Sequence, residues 1–440
     1  MRTTEADLVV VGAGAAGLMC AIQAARTRPD ARVVLVDGAR KLGAKILVAG
    51  GGRCNVTHHA VSADDYAGSS RNAIRKVLRQ FDVADTVTFF EALGVTLKRE
   101  ETGKLFPVTD RAQSVLDALL HAARDAGVRI LNPWRVKSVM RRPVLESALE
   151  PALESVLEPA HGARFQVVSA DGERLSARSI VLATGGLSLP KSGSDGSGYG
   201  FARHLGHTIT DPVLPALVPL NLEAGHFLTK LSGITLDAAF DVLSSSGKRL
   251  VRMGGSTLLT HFGLSGPAVL DVSRHYLMAQ HDEPGAVLTV NWLPSESPES
   301  FEARLVSEAS TLQLAHTLLK RQLPDRLAAA LIDQVETNGP ELSRAARRSL
   351  VDLTTRYALP IIGNRGFKYA EVTAGGVPLA ELNLKTMESR LCPGLYIVGE
   401  LCDVDGRIGG FNFQWAWASG HVCGSVAALP PDASRVTPDA

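Results

Sequence analysis

Gly12-Ala13-Gly14-Ala15-Ala16-Gly17 spaces three glycines as a backbone needs them to close around a pyrophosphate. The run Asp7-Leu8-Val9-Val10-Val11 before it has strand length, and Leu18 to Ala25 after it reads as a helix. Gly12 permits the tight turn, Gly14 the approach of phosphate, and Gly17 the packing of helix on strand. The helix N-terminus adds N–H donors for the phosphates. A second apolar run, Arg32 to Val36, ends in Asp37, twenty residues past Gly17, where a carboxylate accepts hydrogen bonds from an adenosine ribose. A glycine turn alone also suits a strand-helix junction without ligand; with Asp37 in place the pattern predicts a dinucleotide, NAD or FAD.

Three further segments favour FAD: Gly50-Gly51-Gly52-Arg53-Cys54-Asn55, the strand end Ala183-Thr184-Gly185-Gly186, and Gly399-Glu400 with Gly409-Gly410-Phe411-Asn412. FAD is the longer cofactor, and its ribitol and ring need holding as well as its adenosine. The glycines of 50–52 admit close backbone approach, and Arg53 and Asn55 supply donors. Cys54 has no partner thiol and reads as a packed side chain rather than a redox group. Gly410-Phe411-Asn412 opens a predicted helix through Gly420, whose N-terminus carries roughly half a positive charge suited to the ring that becomes anionic on reduction. Trp415 and Trp417, two apart, cannot share a helix face, so at least one packs in the core.

The elements that position these residues belong to an α/β chain of 440 residues, 45% hydrophobic, enough for two or three domains of about 150 residues each. Arg135 to Met140 and Arg164 to Val168 read as paired strands, with Asp171-Gly172 turning the chain into Ile180 to Ala183. Between the first two lies a tandem octapeptide repeat, 145–152 and 153–160, broken by Pro151 and Pro159 and expected as an exposed hairpin insertion. Short β-like runs from 206 give way at 297 to Leu/Ala/Arg/Glu helical spacing, and Gly394 to Glu400 reads as another buried strand. The expected organisation is a discontinuous, Rossmann-like FAD domain (1–205 and 365–440), a β-rich substrate subdomain (206–295 and 358–364) and a small helical insert (296–357).

A formal net charge of +1 predicts neither nucleic acid nor membrane as partner. The N-terminus lacks a leader pattern and no window of about 18 apolar residues occurs, so the expected location is cytoplasmic. Five scattered cysteines form no CxxC, and no metal-ligand spacing, Walker loop or nucleophile elbow stands out, so no metal is expected.

Lys45 to Thr57, Thr260-His261-Phe262-Gly263-Leu264-Ser265-Gly266-Pro267, Val372-Thr373-Ala374-Gly375-Gly376-Val377, Gly399 to Gly406 and Gly409 to Trp417 together resemble the BaiN/YhiN-like, or aminoacetone oxidase-like, family of bacterial FAD proteins. The octapeptide repeat departs from that family's pattern. The resemblance implies that Gly12, Gly14, Ala15, Ala16 and Gly17 hold the pyrophosphate and Asp37 the ribose. It implies adenine contacts from the Val136 backbone, and that Lys45 with Gly50, Gly51, Gly52, Arg53, Cys54 and Asn55 runs along the phosphates toward the ring. Ala183, Thr184, Gly185 and Gly186 would line the adenosine side, Gly399 and Glu400 the ribitol, and Gly410, Phe411 and Asn412 the ring.

The expected reaction is hydride transfer between flavin and a small hydrophobic substrate, reducing an activated C=C bond or running in reverse. No second strand-GxGxxG-helix unit exists for a pyridine nucleotide, which leaves transient NAD(P)H binding, or another donor, to reduce the flavin. His261 is the candidate for proton transfer because imidazole as a side-chain type suits it, although a hydrogen-bonded loop histidine reads the same way. Arg53 and Arg365 suit a substrate anion and equally suit cofactor or interdomain contacts. The alternatives are a flavin amine oxidase, a noncatalytic flavin sensor and an RNA-modifying flavoprotein, the last expected to show a basic surface.

Overall fold

The computed structural model describes residues 4–142, 164–336 and 339–430, so the octapeptide repeat lies outside the described residues. The chain forms two compact units, one of Met1–Val213 with Val372–Ala440, the other of Leu214–Glu371.

In the first unit, β1 (Thr4–Val11) leads through the glycine turn into α1 (Ala15–Thr27), followed by β2 (Val33–Val36) and α2 (Ala44–Gly52). Further along come β3 (Arg129–Leu131), β4 (Val136–Arg141), β5 (Phe165–Ser169) and β6 (Arg174–Leu182). After the second unit the chain returns with β7 (Leu395–Ile397) and α3 (Phe411–Ala427). Leu8, Val9, Val10, Ile180, Val181 and Leu182 are fully buried, as β-branched and apolar strands covered on both faces must be. They form a parallel core in the order β7-β6-β1-β2-β3, with two short antiparallel strands, Glu388–Ser389 and Leu382–Asn383, beyond β7.

Register decides what this sheet presents. Val11 stands opposite both Leu182 and Val36, Val36 opposite Leu131, and Leu182 opposite Ile397. The carboxyl ends are therefore level. One step beyond, Gly12 N–H donates to Val36 O (2.8 Å), Ala183 N–H to Val11 O (2.9 Å) and Val398 N–H to Leu182 O (3.1 Å). The strands expected around the repeat form: β4 pairs antiparallel with β5, and β5 with β6 across the Asp171-Gly172 turn.

α3 lies against α1 and is tied by side chains rather than by packing alone. Both Trp415 and Trp417 are buried, where at least one was expected. Trp415 Nε1 donates to Gly399 O (3.0 Å) and Trp417 Nε1 to Val56 O (2.9 Å). Gln414 is 1% exposed, accepts from Thr57 Oγ1 (2.7 Å) and Thr86 Oγ1 (2.9 Å), and donates to Phe81 O (3.1 Å).

The second unit is a seven-stranded antiparallel sheet whose longest strands are Thr235–Leu243 and Arg249–Thr260. The helices expected from 297 onward are Pro298–Glu308, Leu312–Leu319, Asp325–Asp333 and Arg344–Thr355, three of them capped by Ser297, Thr311 and Ser343. Phe301, Leu327 and Leu350 from these helices share one core with Phe240 and Val290 of the sheet. The strand Ile361–Asn364 pairs with Leu220–Leu222, which draws Arg365, read from sequence with the FAD domain, into this unit. No described helix is long and apolar enough to cross a membrane.

Gln414→Leu keeps the volume but leaves the Thr57 hydroxyl and the Phe81 carbonyl unanswered in a dry interface. The expected loss is about 3 kcal/mol of unfolding free energy, read as a lowered urea midpoint.

Candidate cofactor and active site

The level strand ends put Gly12, Asp37, Ala183 and Val398 side by side at the carboxyl edge of the first unit's sheet, the crevice where open α/β sheets bind ligands. Gly12 has φ +106°, and a Cβ on it would stand 2.4 Å from Ala183 O. A Cβ on Gly17 would stand 1.8 Å from Gly12 O, so α1 sits directly on its strand. Gly14 differs. Its backbone is extended (φ −82°, ψ −168°), and a Cβ there would meet nothing within 4 Å. Neither conformation nor packing requires that glycine, and the space beside it is a cradle that a side chain would fill.

Helix ends repeat the signal. Five helices are capped by Ser70, Asp82, Ser297, Thr311 and Ser343, while those that follow Gly43, Gly196 and Gly266 begin on a glycine without a side-chain cap. α1 and α3 also start on glycines, Gly14 and Gly410, with no side-chain cap and no acid in the first turn, and α1 does so directly at the strand ends. Their leading N–H groups are left for an anion.

Asp37 closes the turn: Oδ2 accepts from Ala13 N–H and Oδ1 from Ala39 N–H, each at 2.7 Å. Each oxygen keeps a lone pair for a ribose hydroxyl. Val136 is the buried first residue of β4. Lys45 Nζ meets Glu400 Oε2 at 2.6 Å, while Glu400 Oε1 accepts from Thr373 N–H at 3.0 Å. Sequence reasoning placed Lys45 and Glu400 at two stations along the cofactor; the fold joins them in one partly buried ion pair. It also missed Thr373, whose Oγ1 accepts from Leu187 and Ser188 N–H (2.8 and 3.0 Å) and would collide with a Cβ on Gly186. The one available signal was its place in the Val372 to Val377 motif.

Residues 49–54 form an ordered break rather than a smooth helix. Gly50 and Gly51 take φ of 58° and 70°, and a Cβ on Gly50 would strike Phe106. Arg53 covers the Phe106 ring at 4.0 Å and meets Glu100 (2.6 Å) and Asp110 (3.6 Å), so two carboxylates already answer its charge. Cys54 is fully buried, and burial pushes its thiol up to about 12. Asn55 Oδ1 and Thr184 Oγ1 are among the buried polar atoms of the described residues without a hydrogen-bond partner, a condition that a ligand can relieve. At the α3 end, Asn412 bonds both backbone groups of Gly406 at 2.8 Å, Tyr66 Oη donates to Phe411 O (2.8 Å), and His58 stacks on the Phe411 ring at 4.9 Å. The cradle at Gly14, the uncapped helix starts and the orphaned oxygens fit a dinucleotide of the length of FAD. Among the described residues no group of three or more His, Cys, Asp or Glu could hold a metal ion.

The second unit carries His261 and Arg365. His261 is exposed beside a half-buried Phe262 at a two-residue hairpin tip between Thr260 and Gly263, its ring edge-on to Phe262 at 5.2 Å. Arg365 stacks on Phe262 and Tyr369.

The sequence profile described as the HI0933-like protein Rossmann domain matches residues 6–426. The 3-dehydro-bile acid delta(4,6)-reductase of Clostridium scindens is 35% identical, over 96% of this chain and 99% of its own. The ribosomal RNA dihydrouridine synthase of Haemophilus influenzae is 32% identical over 94% and 96%, and that of Escherichia coli 32% over 95% and 96%. The 3-ketosteroid delta1-dehydrogenase structure from Sterolibacterium denitrificans superposes with a TM-score of 0.50 at 14% identity, covering 97% of this chain and all of that one, a likeness of fold.

Two outcomes test the site. Gly14→Val is expected to fold normally yet bind FAD about tenfold or more weakly, because its methyl groups occupy the cradle, whereas Gly17→Ala should lower the thermal midpoint of the apoprotein itself. Absorbance at 450 nm per protein, with calorimetric melting, separates them. The buried neutral Cys54 thiol contributes stability that is whole below about pH 8.5, where the unfolded chain also holds its proton, and that drains away as pH rises toward 12. Cys54→Ala should therefore remove up to about 1.4 kcal/mol per pH unit from the alkaline slope of stability, measured by urea titration between those limits, while leaving FAD bound.

Proposed function

This chain belongs to the HI0933-like Rossmann family and is an FAD-dependent oxidoreductase, and from that premise we propose that it saturates, or in reverse introduces, a C=C bond conjugated to a carbonyl in a small hydrophobic substrate. When bound, FAD supplies hydride transfer at its ring. The chain's own residues do the holding. Gly12 to Gly17 with the α1 N-terminus would take the pyrophosphate, Asp37 the ribose, Val136 the adenine side, and Thr184, Asn55 and the Lys45–Glu400 pair the stretch toward the ring. The uncapped start of α3 at Gly410 and Phe411 would set N–H donors where negative charge develops.

The observation that carries this reading is the agreement of full-length relatives on one bond type. A delta(4,6) reduction of a 3-dehydro steroid and the conversion of uridine to dihydrouridine both saturate a carbon–carbon bond conjugated to a carbonyl. Substrate recognition is assigned to the second unit, with His261 as the candidate proton donor, and NAD(P)H to a transient role as reductant. A second reading, reduction of a uridine in RNA, is favoured by the two relatives at 32% identity. The balanced charge of this chain supplies little of the phosphate attraction that such a substrate rewards.

Anaerobically photoreduced protein is expected to return to the oxidised spectrum on mixing with a 3-oxo-Δ4 steroid, with a product two mass units heavier. His261→Asn should slow that reoxidation by about a hundredfold without lowering FAD content. Reoxidation by a uridine-containing ribosomal RNA fragment and by no steroid selects the second reading. Reduction of the oxidised protein by primary amines, with neither acceptor active, overturns both.

A further inference from the structure

On the second unit a guanidinium is held between two aromatic rings with no carboxylate upon it. Arg365 follows the edge strand Ile361–Asn364, and its backbone N–H is fixed to Pro219 O at 3.1 Å. Its guanidinium carbon lies 4.3 Å from the centre of the Phe262 ring and 4.0 Å from that of Tyr369. Phe262 comes from the hairpin tip it shares with His261, and Tyr369 from a turn closed by its N–H to Gly366 O at 3.0 Å. Among the described residues the Arg365 side chain has neither an ion pair nor a hydrogen bond, and it is half-buried with no nitrogen sealed from solvent. Arg53 and Arg304 show the contrast, each meeting two carboxylates.

Stacking takes up the faces of the guanidinium and holds a side chain that otherwise loses much rotamer freedom on binding. What remains is the in-plane edge of N–H donors, which matches the paired oxygens of a carboxylate or phosphate. Lys368 extends the positive edge, its ammonium 5.7 Å from the Tyr369 ring. The backbone beside it is open, since a Cβ on Gly363 or Gly366 would meet no atom within 4 Å.

We propose that Phe262, Arg365 and Tyr369 form a pre-organised clamp for an oxyanion carried by the substrate, with Arg365 determining specificity. The proposal rests on the reading of this chain as an enzyme with an external substrate, and its test needs no turnover. Oxidised, FAD-loaded protein without reductant is titrated calorimetrically with cholate and its neutral methyl ester, and with uridine 5′-monophosphate and uridine. At least one anion is expected to bind about tenfold or more tightly than its neutral counterpart; the pair that shows the preference identifies carboxylate or phosphate. Arg365→Gln should abolish the preference while leaving the neutral ligand's affinity and the thermal melt in place, and Arg365→Lys should restore only part of it. Absence of preference in both pairs, or a preference that survives Arg365→Gln, overturns the proposal. Failure of steroid or RNA to reoxidise reduced flavin bears on the reaction and leaves this measurement standing.

Discussion

The parallel ladder that stands Val11 opposite Val36 and Leu182, and Leu182 opposite Ile397, is the constraint on which the cofactor site depends. Successive side chains of these strands enter opposite packed layers, so a slip of one residue exchanges the two faces and misfits both. Burial of Val9, Val10, Ile180 and Val181 therefore fixes the register, and the register places Gly12, Asp37, Ala183 and Val398 at one level. Residues 37 and 398 come to lie at one level of the same sheet edge, with the ends of β1 and β6 between them, because of apolar packing several residues away from either.

Once the crevice exists, polar ties keep its shape. Gly399 is held from both sides by α3: its N–H donates to Ser419 Oγ (3.0 Å), and its carbonyl accepts from the Trp415 indole (3.0 Å). Glu400 follows, held by Lys45 and by the Thr373 backbone. A buried polar group without its partner costs more than a satisfied one returns, so these ties specify one arrangement of α2, α3 and the strand ends. Gln414 extends the same control to Thr57, beside the glycine that opens α3: a Cβ on Gly410 would stand 2.5 Å from the Thr57 carbonyl carbon.

Local physics made the first half of the site legible. The glycine turn, the acid after β2 and the hairpin around Asp171-Gly172 each follow from a few adjacent residues, as does the helix opened by Gly410. The ion pair of Lys45 with Glu400 does not, because 355 residues separate them and no local pattern reports who will be adjacent. Thr373 is hidden for the same reason; a threonine between a valine and an alanine carries no mark of the four groups it bonds. The allocation of Arg365 failed at a boundary, where a four-residue strand pairs backward to Leu220–Leu222 rather than continuing into the cofactor unit. Arg53 illustrates the converse, for its donor chemistry was plain in sequence while Glu100, Asp110 and Phe106, which take up that chemistry, were not.

The relatives set a limit on what the cofactor unit alone can decide. Proteins named for a steroid acid reduction and for a ribosomal RNA modification align with this chain over nearly its whole length, at 35% and 32% identity. A difference of that size does not rank two substrates. The proposed reaction asks for a pre-organised positive field at an electron-rich ring, which helix N-termini can supply at little cost in reorganisation. Discrimination must then come from groups that touch what the substrates do not share, their anionic parts and their size. A guanidinium with stacked faces and an open edge recognises an oxyanion without recognising the framework that bears it. Under the proposed reading, relatives that act on substrates as unlike as a steroid acid and a uridine in RNA share one sheet, and their separation falls to residues outside the dinucleotide fold.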